Sequence, residues 1–191
     1  EHNLPLMARV AAREEFRGRI LGFHLEGPFI SAAPGAVGAH NPRAVRPPDP
    51  AFFDRLWDLA GGRVKLITIA ADPPGAEDLA RRARERGAAV SIGHSLFGGA
   101  DLDRLARAGA GLLTHLGNGV PNVLPRHENP IVLGLANDAY TAMLITDGHH
   151  LPAGMLKVML RAKGAGRVIV TSDQCPMAGL PPGRYQTPDN L

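Results

Sequence analysis

Six short apolar runs punctuate the chain, and five of them end on polar residues able to do chemistry. They span 18–26, 64–70, 88–94, 110–115, 140–147 and 167–173. Ile, Val, Leu and Ala fill them with few polar interruptions, the pattern of strands covered on both faces. Between them, apolar residues recur at helical spacing over 76–86, 100–108 and 152–163, with charges opposite. The first two of these segments stop at Gly87 and Gly109, good C-terminal breakers. The opening residues also read as the inside of a helix. Strands alternating with helices predict a parallel sheet. His94 and His115 close consecutive units of the same build, a helix rich in Leu, Ala and Arg followed by glycine, strand and histidine. That repeat is the pattern of a (β/α)8 TIM-like barrel.

A closed barrel uses eight strands and about 250 residues. With six runs visible, the expectation is a single barrel domain over 1–191 that is partial, lacking N-terminal and C-terminal parts. Two long segments rich in Pro, Gly and Asn, 31–50 and 117–130, read as functional loops.

Composition narrows the function classes. The chain has 191 residues, 45% hydrophobic and 20% charged, an ordinary globular balance. The formal charge of +3 comes from basic residues scattered over helix faces, as at 81–86, with no interleaved aromatics. This argues against nucleic acid as a partner. No apolar run approaches the roughly 18 residues of a membrane span. The single cysteine, Cys175, excludes an internal disulfide framework and fits a reducing, cytoplasmic compartment.

In a parallel barrel the C-terminal strand ends converge on one mouth, so residues distant in sequence become neighbours there. His24 and Glu26 alternate onto one strand face. Glu26, His94 and His115, one carboxylate and two imidazoles, form a three-ligand set for a divalent metal, zinc or alternatively iron, with a coordination position left open. Asp173 reads either as a proton carrier beside an activated water or as the N-cap of a following helix. Asp147 before Gly148 reads as a turn residue. His149 or His150 could polarise a substrate carbonyl. His40 and Arg126, on the two long loops, are candidates for holding an anion. Neither a G-x-G-x-x-G turn nor a Walker A motif is present.

Gly22-Phe-His-Leu-Glu-Gly-Pro28 and Gly38-Ala-His-Asn-Pro42 resemble motifs of the N-acetylglucosamine-6-phosphate deacetylases of the amidohydrolase superfamily. So do Ser91-Ile-Gly-His-Ser95, Thr114-His-Leu-Gly-Asn118, Thr146-Asp-Gly-His-His150 and Thr171-Ser-Asp173 with Ala178-Gly179. The six blocks occur in the family's order. The resemblance implies a metal held by Glu26, His94 and His115. It also implies Asp173 as the catalytic aspartate and His150 as a contact near the scissile amide. His40, Arg126, Asn118 and the backbone at Gly119 would contact an amino-sugar phosphate, the first two across a homodimer interface in dimeric members.

Departures from the family pattern are concentrated near the substrate. The usual His-Leu-(aromatic)-Asn-Ala-Met is His115-Leu-Gly-Asn-Gly-Val120, Ala71-Asp72 replaces a common Pro-Glu, and Ser172 and Gln174 flank Asp173. Gly119 is expected to loosen a loop that cradles substrate. Three functions follow: deacetylation of an N-acetylhexosamine 6-phosphate, another amide hydrolysis on the same metal, or sugar binding without turnover.

Overall fold

A computed structural model describes residues 1–186. Six parallel strands form one sheet in the order of the sequence: β1 Phe23–Glu26, β2 Val64–Ile69, β3 Ala89–Ile92, β4 Ala110–Leu113, β5 Thr141–Ile145 and β6 Val168–Thr171. Helices α1 Asn3–Ala11, α2 Pro50–Leu59, α3 Ala76–Glu85, α4 Gly99–Arg107, α5 Pro130–Ala136 and α6 Ala153–Lys163 precede or separate them. Consecutive parallel pairing with helical crossovers is the α/β barrel arrangement anticipated from the pattern. Among the described residues β1 and β6 do not pair with one another. No helix there is long and apolar enough to cross a membrane.

Two helices escaped the periodicity reading, α2 and α5. Each is announced instead by its first turn. The Asp49 carboxylate accepts from the Phe52 N–H at 2.9 Å ahead of Pro50, and the Asn129 side chain accepts from the Val132 N–H at 3.1 Å ahead of Pro130. Both are side-chain N-caps with proline at the first helical position, where its missing N–H costs nothing.

The core lies between the sheet and the helices. Ile67, Ile69, Val90, Ile92 and Leu144 are buried with Leu79, Ala80, Ala83, Leu102 and Leu105. Small alanines on α3 bring its backbone close to the sheet and leave its arginines outside. Tyr140, fully buried at the start of β5, donates its hydroxyl to the Leu102 carbonyl of α4 at 2.6 Å. Lys163, closing α6, donates to the Asn137 and Tyr140 carbonyls at 2.6 and 2.8 Å. Burial pushes that ammonium below its ordinary value, opposed by the charge of Asp138.

The ladders are shorter than the apolar runs, because the runs continue past the last paired residue. His94, His115, Asp147 and Asp173 each stand two residues beyond the end of their strand, and Glu26 is the last residue of β1. The chemistry-bearing residues thus occupy the rim where ladder geometry has just been released.

Candidate metal centre and its mouth

Three residues outside glycine adopt left-handed backbone among the described residues: His94 at φ 49°, His115 at 30° and Asp173 at 47°. Such geometry costs a non-glycine residue about 1–3 kcal/mol and persists where surrounding structure enforces it, typically at functional sites. Here it turns the chain sharply after β3, β4 and β6, and all three residues line one cavity of about 480 Å³. Glu26, His40, Asn118, Gly119 and His150 line the same cavity.

At its floor three potential ligand atoms converge. Glu26 Oε1 lies 2.7 Å from His94 Nε2 and 2.8 Å from His115 Nε2, and the two Nε2 atoms are 3.1 Å apart. The other ring nitrogen of His94 fixes the tautomer. Its Nδ1 meets the Ala36 carbonyl oxygen at 2.7 Å; a carbonyl only accepts, so Nδ1 carries the proton and donates it. In the neutral form of the ring Nε2 then carries the lone pair, beside the carboxylate and the second imidazole. Three electron-rich atoms this close are relieved by a shared cation, and they are near enough to grip one with bonds of about 2.0–2.2 Å. The donor set therefore fits a divalent metal. His115 Nδ1 is buried without a partner among the described residues.

Burial by itself raises the Glu26 carboxyl, but the imidazoles of His115, His40 and His94 crowded against it outweigh that and hold the group well below the usual carboxylate range. Asp173 joins Glu26 and His115 in a second set of closely placed ligand atoms, while remaining exposed at the mouth. No helix follows it among the described residues, so the N-cap alternative drops away.

Beneath the cluster runs a buried hydroxyl relay that sequence reading missed. His24 Nε2 meets Thr68 Oγ1 at 2.7 Å, Thr68 meets Thr114 at 2.6 Å, and Thr114 meets Ser91 at 2.6 Å. Thr68, Ser91 and Thr114 are all buried. The signal was a single inward hydroxyl in each otherwise apolar run, as Thr68 stands in β2. Desolvation lowers the His24 imidazole below its ordinary value, against the raising influence of Glu26 and Asp173.

Within the chain the two loop residues expected to hold an anion take different places. His40 Nε2 stands 3.7 Å from Glu26 Oε1, and its ring meets His94 edge-on with centroids 4.6 Å apart, so it belongs to the floor. Arg126 is exposed and does not line the cavity. Asn118 Nδ2 donates to the His115 carbonyl at 3.1 Å, tying the second loop to β4. His149 and His150 are both exposed, but only His150 lines the cavity.

No protein-family model matches the chain. The N-acetylglucosamine-6-phosphate deacetylase of Bacillus subtilis (strain 168) is 35% identical over 169 residues, covering 87% of this chain and 42% of that protein. The N-acetylgalactosamine-6-phosphate deacetylase of Escherichia coli O157:H7 is 31% identical over 183 residues, covering 94% of this chain and 48% of that protein. The N-acetyl-D-glucosamine-6-phosphate deacetylase structure from Mycobacterium smegmatis superimposes with a TM-score of 0.85 at 28% identity, over 96% of this chain and 47% of that one. An aspartate-to-alanine mutant of the same enzyme, in complex with N-acetyl-D-glucosamine-6-phosphate, gives a TM-score of 0.86. The chain spans a little under half the length of each of these relatives. Sequence and fold together establish that the chain belongs to the N-acetylglucosamine-6-phosphate deacetylase family.

Proposed function

We propose that the protein hydrolyses the acetamide of N-acetylglucosamine 6-phosphate, or of a close N-acetylhexosamine 6-phosphate, to acetate and the amino-sugar phosphate. The observation that carries this reading is the convergence of Glu26, His94 and His115 on one point, with Asp173 and His150 lining the same cavity. Glu26, His94 and His115 would hold a divalent metal, zinc in the first instance and iron as the alternative. When bound, such a cation lowers the pKa of water and stabilises negative charge on a carbonyl oxygen.

The chain's own groups supply the rest. Asp173 takes a proton from the attacking water as its oxygen adds to the acetamide carbon. His150 stabilises the oxygen that gains charge. As the carbon–nitrogen bond breaks, Asp173 returns the proton to the departing amine. His40, at the floor, faces the reacting amide rather than a distant phosphate. Arg126 and the Asn118–Gly119 segment are left for the phosphate, with Arg126 reaching it across a homodimer interface. A cytoplasmic setting fits this chemistry.

The relatives named for both gluco and galacto substrates keep the hexose open. The test is hydrolysis of N-acetylglucosamine 6-phosphate, its galacto epimer and unphosphorylated N-acetylglucosamine, with zinc or iron added. Preference for either phosphate, weakened in Arg126→Ala, supports the proposal. Equal turnover of the unphosphorylated sugar favours another amide hydrolase. No turnover of any of them, in protein that holds metal, favours a binding role.

A further inference from the structure

We infer that Gly38 and Gly119, one on each long loop, are positioning residues that wall in the His94 imidazole and thereby set how well the cluster binds a metal. The inference deepens the proposed function and rests on its metal reading.

The loop from 31 to 50 grips His94 at three points. The Ser31 N–H donates to the His94 carbonyl at 2.8 Å, the Ala36 carbonyl accepts from His94 Nδ1 at 2.7 Å, and Gly38 lies against the ring. A Cβ on Gly38 would sit 2.8 Å from His94 Cε1 and 3.2 Å from Nδ1. The second loop closes on the same ring. A Cβ on Gly119 would sit 2.8 Å from Nδ1, 3.0 Å from Cε1 and 3.2 Å from Cγ. Contacts below 3.0 Å force something to move. The ring has little freedom to do so, because it is 6% exposed, held at Nδ1 by the Ala36 carbonyl and packed at Nε2 against Glu26 and His115. A side chain at either position therefore displaces the ring, and with it Nε2, or holds its loop away from the ring.

This reverses the expectation that Gly119 loosens its loop. The glycine lets the loop come in against the ligand, at φ +61° where a Cβ is also disfavoured. Groups that orient a ligating histidine are commonly worth 10–100-fold in metal affinity.

The test strips the full chain with chelator and titrates it with zinc, and separately with cobalt(II), whose visible spectrum reports ligand geometry. Gly119→Ala and Gly38→Ala are compared with wild type and with Gly18→Ala. Gly18 shares a positive φ of +74° but has nothing within 4 Å of its Cβ position, so it controls for backbone strain alone. The expected result is a Kd about 10–100-fold weaker with an altered cobalt spectrum in Gly119→Ala, and wild-type behaviour in Gly18→Ala. Should Gly119→Ala fail to fold, Gly38→Ala makes the same contact from the other loop. Wild-type affinity and spectrum in the folded variants overturn this inference alone. Absence of metal binding by wild type overturns both it and the metal reading beneath it.

Discussion

Asp147 holds His150 through both carboxylate oxygens: Oδ1 accepts the backbone N–H groups of His149 and His150 at 2.8 and 3.0 Å, and Oδ2 accepts from His150 Nδ1 at 2.7 Å. The turn anticipated from Asp before Gly is present, and the same side chain also orients an imidazole at the cavity. With Nδ1 committed to Asp147, Nε2 is the ring nitrogen left without that partner at the cavity.

Replacing Asp147 by Asn keeps an oxygen for the turn but removes the carboxylate that orients the ring. Turnover is expected to fall about 10–100-fold, with little change in metal affinity. Backbone N–H groups of His150 and His149, then the His150 side chain, hold the Asp147 carboxyl well below its ordinary value. Its contribution to the turn is therefore intact above the usual carboxylate pKa and is lost only as pH falls through the depressed one. Steady-state kinetics beside metal titration checks the first statement; unchanged kcat in Asp147→Asn refutes it.

Asp173→Asn should bind metal as wild type does and lose about 10²–10⁴-fold in turnover, since it removes the proton carrier and leaves Glu26, His94 and His115 in place. Metal content and initial rates on one preparation decide it. Near-normal rates would remove Asp173 from the chemistry.

Chelation should lower the melting temperature, and zinc should restore it. A ligand at about 100 times its Kd stabilises the folded state by about 2.7 kcal/mol. His115→Ala should abolish the zinc-dependent shift while retaining a cooperative transition. A zinc-induced shift of wild-type size in that variant would place the ion elsewhere.

Thr114→Val preserves shape but cuts the relay between Thr68 and Ser91, which lie on either side of it at 2.6 Å. Leaving buried hydroxyls short of a partner costs about 1–3 kcal/mol. Urea denaturation measures the loss. A change below about 0.5 kcal/mol would mean the relay re-forms without Thr114.

Burial, reinforced by the charge of Asp103, raises the Tyr140 phenol above its ordinary value of 10.0. The folded state favours the neutral form, so this contribution is full below about pH 10 and is lost as pH rises toward the higher folded value. Tyr140→Phe should cost about 1 kcal/mol at neutral pH by removing the hydroxyl's bond to the Leu102 carbonyl, and should flatten the alkaline decline. Melting curves across the alkaline range test the slope; an identical slope in the variant would exclude Tyr140 as its source.

The strand ends were legible because burial on both faces writes a strand as a continuous apolar run, and the chemical residue that follows interrupts it. That rule located Glu26, His94, His115 and Asp173. It failed for α2 and α5, which are short and better marked by Asp49-Pro50 and Asn129-Pro130 than by periodicity. It was also silent on Ala36, whose role is played by a backbone carbonyl that any residue carries.

The sequence by itself determined the alternation of strand and helix and the residue types available at each strand end, since hydrophobic periodicity and ligand chemistry are local properties of the chain. Only the tertiary structure decided that His40 joins the floor while Arg126 stands outside the cavity, and that Gly119 presses on His94. The path of a long loop across the mouth depends on what it packs against, and its partners are distant in sequence.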